Sequence, residues 1–130
     1  MISAVDSSVI LDVVTGDPRH ASANGRLVAC ECVLTEIHPA LDDPASFEEF
    51  LSDWQLEFVP SSQESAVMAG RHFAACLGPG GRPGRIVADF LIGAHAAIHA
   101  GRLLARDRGF LRDHFSGLRV VDPSPAAERG

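Results

Sequence analysis

Short apolar runs that read as strands alternate along the chain with longer segments that read as helices, and this alternation restricts the fold more than any other feature. Residues 2–6 form the first strand-like run, and 26–30, 56–60, 103–105 and 118–121 form four more. Ser7 or Ser8 can cap a helix running to about residue 15, and a short helix is expected over 18–24. Val33, Leu34, Ile37 and Leu41 recur at helical spacing over 33–41, with Pro39 inside the segment. Pro39 either kinks this helix or marks a late start, and both readings leave Glu36 near its amino-terminal turn, where the dipole favours a carboxylate. Asp43-Pro44-Ala45 opens a further helix that carries Phe47, Phe50, Leu51 and Trp54 along one side. Ser61 or Ser62, with Glu64 following, caps a helix to Leu77; another runs over about 86–100 and stops at Gly101. A short turn or helix is expected at 110–114.

Parallel strands require helical crossovers, so this order predicts an α/β fold: a three-layer α/β/α sandwich around a central, mainly parallel sheet of four to five strands. At 130 residues the chain suits one domain, expected over 1–123 with a flexible tail at 124–130. In such sheets ligands bind beyond the carboxyl ends of the strands.

Two acids, Asp6 and Asp107, fall in that region of the predicted fold, and the adjoining helices can bring in two more, Glu36 and Asp89. Asp6 closes the first strand and Asp107 follows Leu103-Leu104-Ala105-Arg106, while Glu36 and Asp89 fall early in helices. Asp89 lies among Ile86, Val87, Phe90, Leu91 and Ile92, where an acid is costly unless it is paired, hydrogen-bonded or bound to metal. Clusters of carboxylate oxygens are how proteins hold Mg²⁺ or Mn²⁺, ions that assist attack on phosphate esters.

Composition narrows the chemistry. All 11 basic residues are arginine, and without lysine a Walker-type phosphate loop is excluded. Haloacid-dehalogenase phosphatases and response-regulator receiver domains, which also place an acid after a first strand, need a lysine too. The net charge of −6 argues against general charge-driven binding to nucleic acid, although arginines concentrate in the second half. Cys30, Cys32 and Cys76 match neither a redox pair nor a zinc ribbon and are expected to be reduced, partly buried thiols. No run approaches the roughly 18 to 20 apolar residues of a membrane span, so a cytoplasmic protein is expected.

Several motifs together resemble the PIN-domain proteins, and more closely the VapC toxin ribonucleases of bacterial toxin-antitoxin pairs. They are Val5-Asp6-Ser7-Ser8-Val9-Ile10, Thr35-Glu36-Ile37, Asp89-Phe90-Leu91-Ile92-Gly93-Ala94-His95-Ala96 and Leu103-Leu104-Ala105-Arg106-Asp107-Arg108-Gly109-Phe110. Gly117-Leu118-Arg119-Val120-Val121-Asp122-Pro123 ends the match, which spans about residues 1–123. The resemblance implies that Asp6, Glu36, Asp89 and Asp107 are the acidic quartet of a metal-dependent endoribonuclease. Asp6, Asp89 and Asp107 would hold Mg²⁺, with Mn²⁺ an alternative, and Ser8 would help to order the site. It further implies an RNA substrate, a small VapB-like antitoxin partner and a homodimer. Ala105 stands where many relatives carry Thr or Ser, and the stretch between Asp17 and Leu27 is short for the family. A non-catalytic PIN-like scaffold and a DNA-directed nuclease are the other readings.

Two further features carry little chemistry. His95 and His99 share a helix at i, i+4 but lack the HExxH glutamate and point about 80 to 120° away from Asp89, so they are expected to pack or to line an interface. Residues 78–84 match no phosphate-loop pattern and read as a connection; Arg82 within it and Arg85 just after it either contact a substrate backbone or are solvated at the surface.

Overall fold

A computed structural model describes residues 1–14, 25–77, 87–106 and 114–122, with backbone only for 12–14. Five short strands form one sheet: β1 (Ile2–Val5), β2 (Arg26–Ala29), β3 (Leu56–Phe58), β4 (Arg102–Leu104) and β5 (Arg119–Val121). Their order across the sheet is β3-β2-β1-β4-β5, and every neighbouring pair is parallel. The helices are α1 (Ser7–Val14), α2 (Glu31–Ile37), α3 (Pro44–Trp54), α4 (Gln63–Leu77) and α5 (Val87–His99). This is the α/β architecture expected from the alternation of strand and helix.

The strand order explains where a site can form. From β1 the chain steps outward to β2 and β3, then returns past β1 to β4 and steps the other way to β5. Right-handed crossovers in opposite directions place their helices on opposite faces, so the sheet is covered on both sides. The reversal lies between β1 and β4, and ligands of such sheets bind beyond the carboxyl ends of the strands at a point of this kind. Val5 pairs with Leu104, and Asp6 N–H donates to Leu104 O at 2.9 Å, so the ladder runs one residue past β1 and then releases the Asp6 side chain.

The core gathers around these central strands. Ala4, Val5, Leu103, Leu104 and Ala105 are buried together with Val9, Ile10, Phe90, Ile92, Ala94 and Ala96. Four small residues in α5, Gly93, Ala94, Ala96 and Ala97, allow close approach: α4 packs along α5, and the Phe115 ring lies directly over Gly93. Gly101, at φ +92°, ends α5 with its N–H on Ala96 O at 2.6 Å, a left-handed terminus that glycine adopts without strain.

Three local expectations change. The helix around Glu36 begins earlier and ends sooner than read: α2 covers Glu31–Ile37, and Pro39 sits in a single 3₁₀ turn at His38–Ala40. Proline cannot extend the α-helical ladder, so the chain tightens there instead of kinking. Glu36 is therefore near the carboxyl end of its helix, where the dipole disfavours a carboxylate. The cap of α4 pairs Ser62 with Ser65 rather than Glu64: Ser65 N–H donates to Ser62 Oγ at 3.1 Å, and Ser62 N–H donates to Ser65 Oγ at 2.9 Å. The expected helix at 18–24, the connection at 78–84 with Arg82, then Arg85, Asp107, most of the turn at 110–114 and the tail at 124–130 lie outside the described residues. Among the described residues no helix is long and apolar enough to cross a membrane.

Candidate active site

Asp6 leaves the end of β1 and is held at once by the helix that follows. The Ser8 hydroxyl donates to Asp6 Oδ2 at 2.5 Å, and Ser8 N–H reaches the same oxygen at 3.2 Å. The Ser8 hydroxyl oxygen also accepts from Arg106 N–H at 3.2 Å. One hydroxyl thus ties the acid at the end of β1 to the backbone just beyond β4, one residue before Asp107. Ala105, which has no hydroxyl to offer, is buried and uses its N–H on Val121 O at 3.1 Å.

Glu36 comes to the same place from α2. Ser7, buried at 9% exposure, donates its hydroxyl to Glu36 Oε1 at 3.1 Å. Much of the Glu36 side chain reaches solvent, yet its carboxyl is partly desolvated, and that burial is the main force pushing its pKa above the usual value. Ser7 opposes the shift by donating to the charged form, whereas the charges of Asp6 and Asp89 add to it. Asp89 is half-buried in the first turn of α5, where the helix amino terminus favours a negative charge. Electrostatically, Glu36 therefore senses one acid from β1 and one from α5.

These three acids come from the end of β1, from α2 and from α5, elements far apart in sequence; the adjacent Ser7 and Ser8 hydroxyls hold Glu36 and Asp6 in one neighbourhood, and the charge of Asp89 reaches Glu36. Among the described residues no three His, Cys, Asp or Glu side chains are grouped tightly enough to hold a metal ion by themselves, and Asp107 lies outside those residues. The donor set is nonetheless all carboxylate oxygen, with negative charge in excess, which suits a hard divalent cation and no soft one.

A second polar group surrounds the histidines. His95, 1% exposed, has Nε2 at 2.6 Å from Val59 O; a carbonyl only accepts, so this nitrogen carries the proton. His99 Nε2 lies 3.2 Å from Ser62 Oγ, and the two rings are 4.9 Å apart. Glu31 accepts from Ser61 N–H at 2.9 Å; burial raises its pKa, but hydrogen bonds from Ser61 and from its own backbone, with the charge of His95, together outweigh burial and the net shift is downward. These contacts fasten α2, the segment after β3 and α5 to one another, in line with the packing role expected for His95 and His99. Of the thiols, Cys30 is buried and Cys32 half-buried, but Cys76 is exposed on α4, unlike the expectation for all three.

The sequence did not reveal Ser7 as the partner of Glu36. Its only signal was a hydroxyl directly after Asp6, and nothing local connects it to a residue 29 positions away.

No protein-family model matches the chain, and no curated protein matches it by sequence. Solved structures do match over almost their whole length. A chain of a toxin-antitoxin complex from Klebsiella pneumoniae superposes with a TM-score of 0.68 at 14% identity, covering 94% of this chain and 98% of that one. A chain of VapBC2 from Rickettsia felis, bound to a DNA fragment from its promoter, gives 0.71 at 17% identity, covering 93% and 98%. A chain of VapBC-1 from nontypeable Haemophilus influenzae gives 0.68 at 18% identity, covering 95% and 98%. At these identities the likeness concerns the fold: the chain has a VapC-like PIN-domain fold, as its motifs suggested.

Proposed function

We propose that this protein is a VapC-like toxin: a metal-dependent endoribonuclease that cleaves RNA phosphodiesters in the cytoplasm and is restrained by a small VapB-like antitoxin. The observation that carries the reading is the pair of adjacent hydroxyls that holds Glu36, through Ser7, and Asp6, through Ser8, in one neighbourhood at the end of β1, within reach of the charge of Asp89. The charges of Asp6 and Asp89 disfavour the ionised form of Glu36, and a purely structural role gives no return for that cost. The likeness to VapBC complexes supports the toxin reading and the antitoxin partner. A homodimer is the assembly we expect.

Asp6 and Asp89, with Asp107, would hold Mg²⁺ or Mn²⁺, which when bound supplies charge neutralisation and a more acidic water. The chain's own residues do the rest. Ser8 keeps Asp6 in one orientation and fixes the segment leading to Asp107 beside it. Glu36 accepts a proton as water oxygen attacks phosphorus and the bond from phosphorus to the leaving ribose oxygen breaks. A carboxyl whose pKa is raised toward neutrality is a better proton acceptor than an ordinary one.

Purified protein incubated with structured RNAs and Mg²⁺ tests the reading. Cleavage by wild type that is lost in Asp6→Ala and in Asp89→Ala is the expected result. Equal cleavage by all three proteins, or toxicity on expression that survives both substitutions, would overturn it.

A further inference from the structure

Ser7 and Ser8 are neighbours in sequence but serve different acids. Successive residues of a helix point about 100° apart, so the first turn of α1 can send one hydroxyl to Asp6 and the next to a different element. Ser8 takes Asp6 and the backbone of Arg106, while Ser7 takes Glu36 Oε1 at 3.1 Å. The two partners differ in how firmly they are held. Asp6 follows directly from a central strand, but Glu36 is the penultimate residue of a seven-residue helix and has three side-chain torsions to fix. Ser7 is the first residue of α1 and is nearly buried, so it is the more rigid member of the pair.

We propose that Ser7 is a positioning residue: by occupying Oε1 of Glu36 it leaves Oε2 as the oxygen that receives the proton from the attacking water. This role rests on the nuclease reading given above. It acts entirely through Glu36, and that supplies the test.

RNA cleavage with Mg²⁺ is measured for wild type, Ser7→Ala, Glu36→Gln and the double variant. Ser7→Ala should lower kcat about tenfold at unchanged KM, a loss equivalent to about 1.4 kcal/mol. In the Glu36→Gln background, Ser7→Ala should add nothing to the loss. The same tenfold loss in both backgrounds, or a change confined to KM, would overturn the inference. A parallel urea-unfolding cycle on Ser7→Ala and Glu36→Ala reads the contact without any activity: the single effects on the unfolding constant should fail to multiply, by about fivefold. Multiplicative effects in that cycle with an active wild type overturn the Ser7 role alone. A wild type inert on RNA overturns the nuclease reading, and this role with it, even where the unfolding cycle shows coupling.

Discussion

Replacing Gly93 by alanine sets two measurable effects against each other. Gly93 is inside α5, where alanine is intrinsically favoured over glycine by about 0.8 to 1.0 kcal/mol. The position is crowded, however. A methyl group built there would lie 2.5, 2.9 and 3.1 Å from three atoms of the Phe115 ring, so the ring or the helix must retreat by about 1 Å to reach ordinary carbon contact. Phe115 is buried and stacks at 4.2 Å from the His72 ring, yet it also lines a cleft of about 240 Å³ with Met68 and Leu118, which gives it somewhere to go. Overpacking typically costs about 1 to 3 kcal/mol, and with that space the middle of the range is the reasonable choice. The net expectation is destabilisation by roughly 1 kcal/mol, or a fall in Tm of about 3 to 5 °C for a chain of this size. Gly70 in α4 provides the control, because it is exposed and a methyl there meets nothing within 4 Å. Gly70→Ala should raise stability by about 0.8 to 1.0 kcal/mol from helix propensity alone. Urea unfolding of both variants should therefore show shifts of opposite sign, about 2 kcal/mol apart. The shift also bears on the site, since Asp89 lies one turn before Gly93 on the same side of α5. A Gly93→Ala protein as stable as Gly70→Ala would refute the close contact between α5 and Phe115 and the reasoning built on it.

Glu36→Gln should raise stability at pH 7 while removing the proposed proton acceptor. A raised carboxyl pKa means that the folded state binds more protons than the unfolded state above about pH 4.3, so stability falls as pH rises through the folded value; the glutamine variant should show no such fall, and thermal unfolding across pH reads the difference. His95 should produce the opposite slope. Burial, helped by the neighbouring His99, lowers its pKa against the Val59 hydrogen bond and Glu31, so the unfolded state binds more protons below about pH 6.5 and stability is lost as pH falls through the folded value; His95→Gln should flatten that limb of the Tm profile. Thiol labelling at pH 7.5 should be rapid at one site only. Burial, with Cys30 and Glu31 adding to it, pushes the Cys32 thiol up to about 12, and Cys30 is buried, so mass spectrometry after brief maleimide treatment should find Cys76 modified and Cys76→Ser unlabelled.

Where local chemistry decides the structure, the sequence was readable. The apolar runs of the five strands announced the sheet, and Asp43 announced α3 by the cap it makes with Ser46 N–H at 3.2 Å. Glu36 was misplaced within its helix because α2 begins without such a signal. Cys30 sits extended before it at φ −86° and ψ 175° and offers no side-chain cap, so the apolar spacing seemed to begin at Val33, two residues late. The end of α3 was hidden in a similar way, since Gln55 takes the left-handed conformation, φ 51°, that glycine usually marks. Contacts across the fold left no trace at all. Ser7 with Glu36 and His95 with the carbonyl of Val59 depend on strand order, which no local period encodes.

Strand order also suggests why the acids should not share one role. Asp89 lies in the first turn of α5, where the N–H groups of a helix start favour negative charge, a setting that suits the cation-holding role proposed for it. Glu36 closes α2, where the carbonyl end disfavours charge; desolvation and two neighbouring acids push the same way, and only Ser7 resists. Carboxyl groups set in contrasting surroundings within one site are suited to different tasks, one to carry charge and another to exchange a proton. The placement of Glu36 at the wrong end of its helix for a stable anion, an error from the standpoint of stability, is thus the strongest argument for giving it the proton in the proposed reaction.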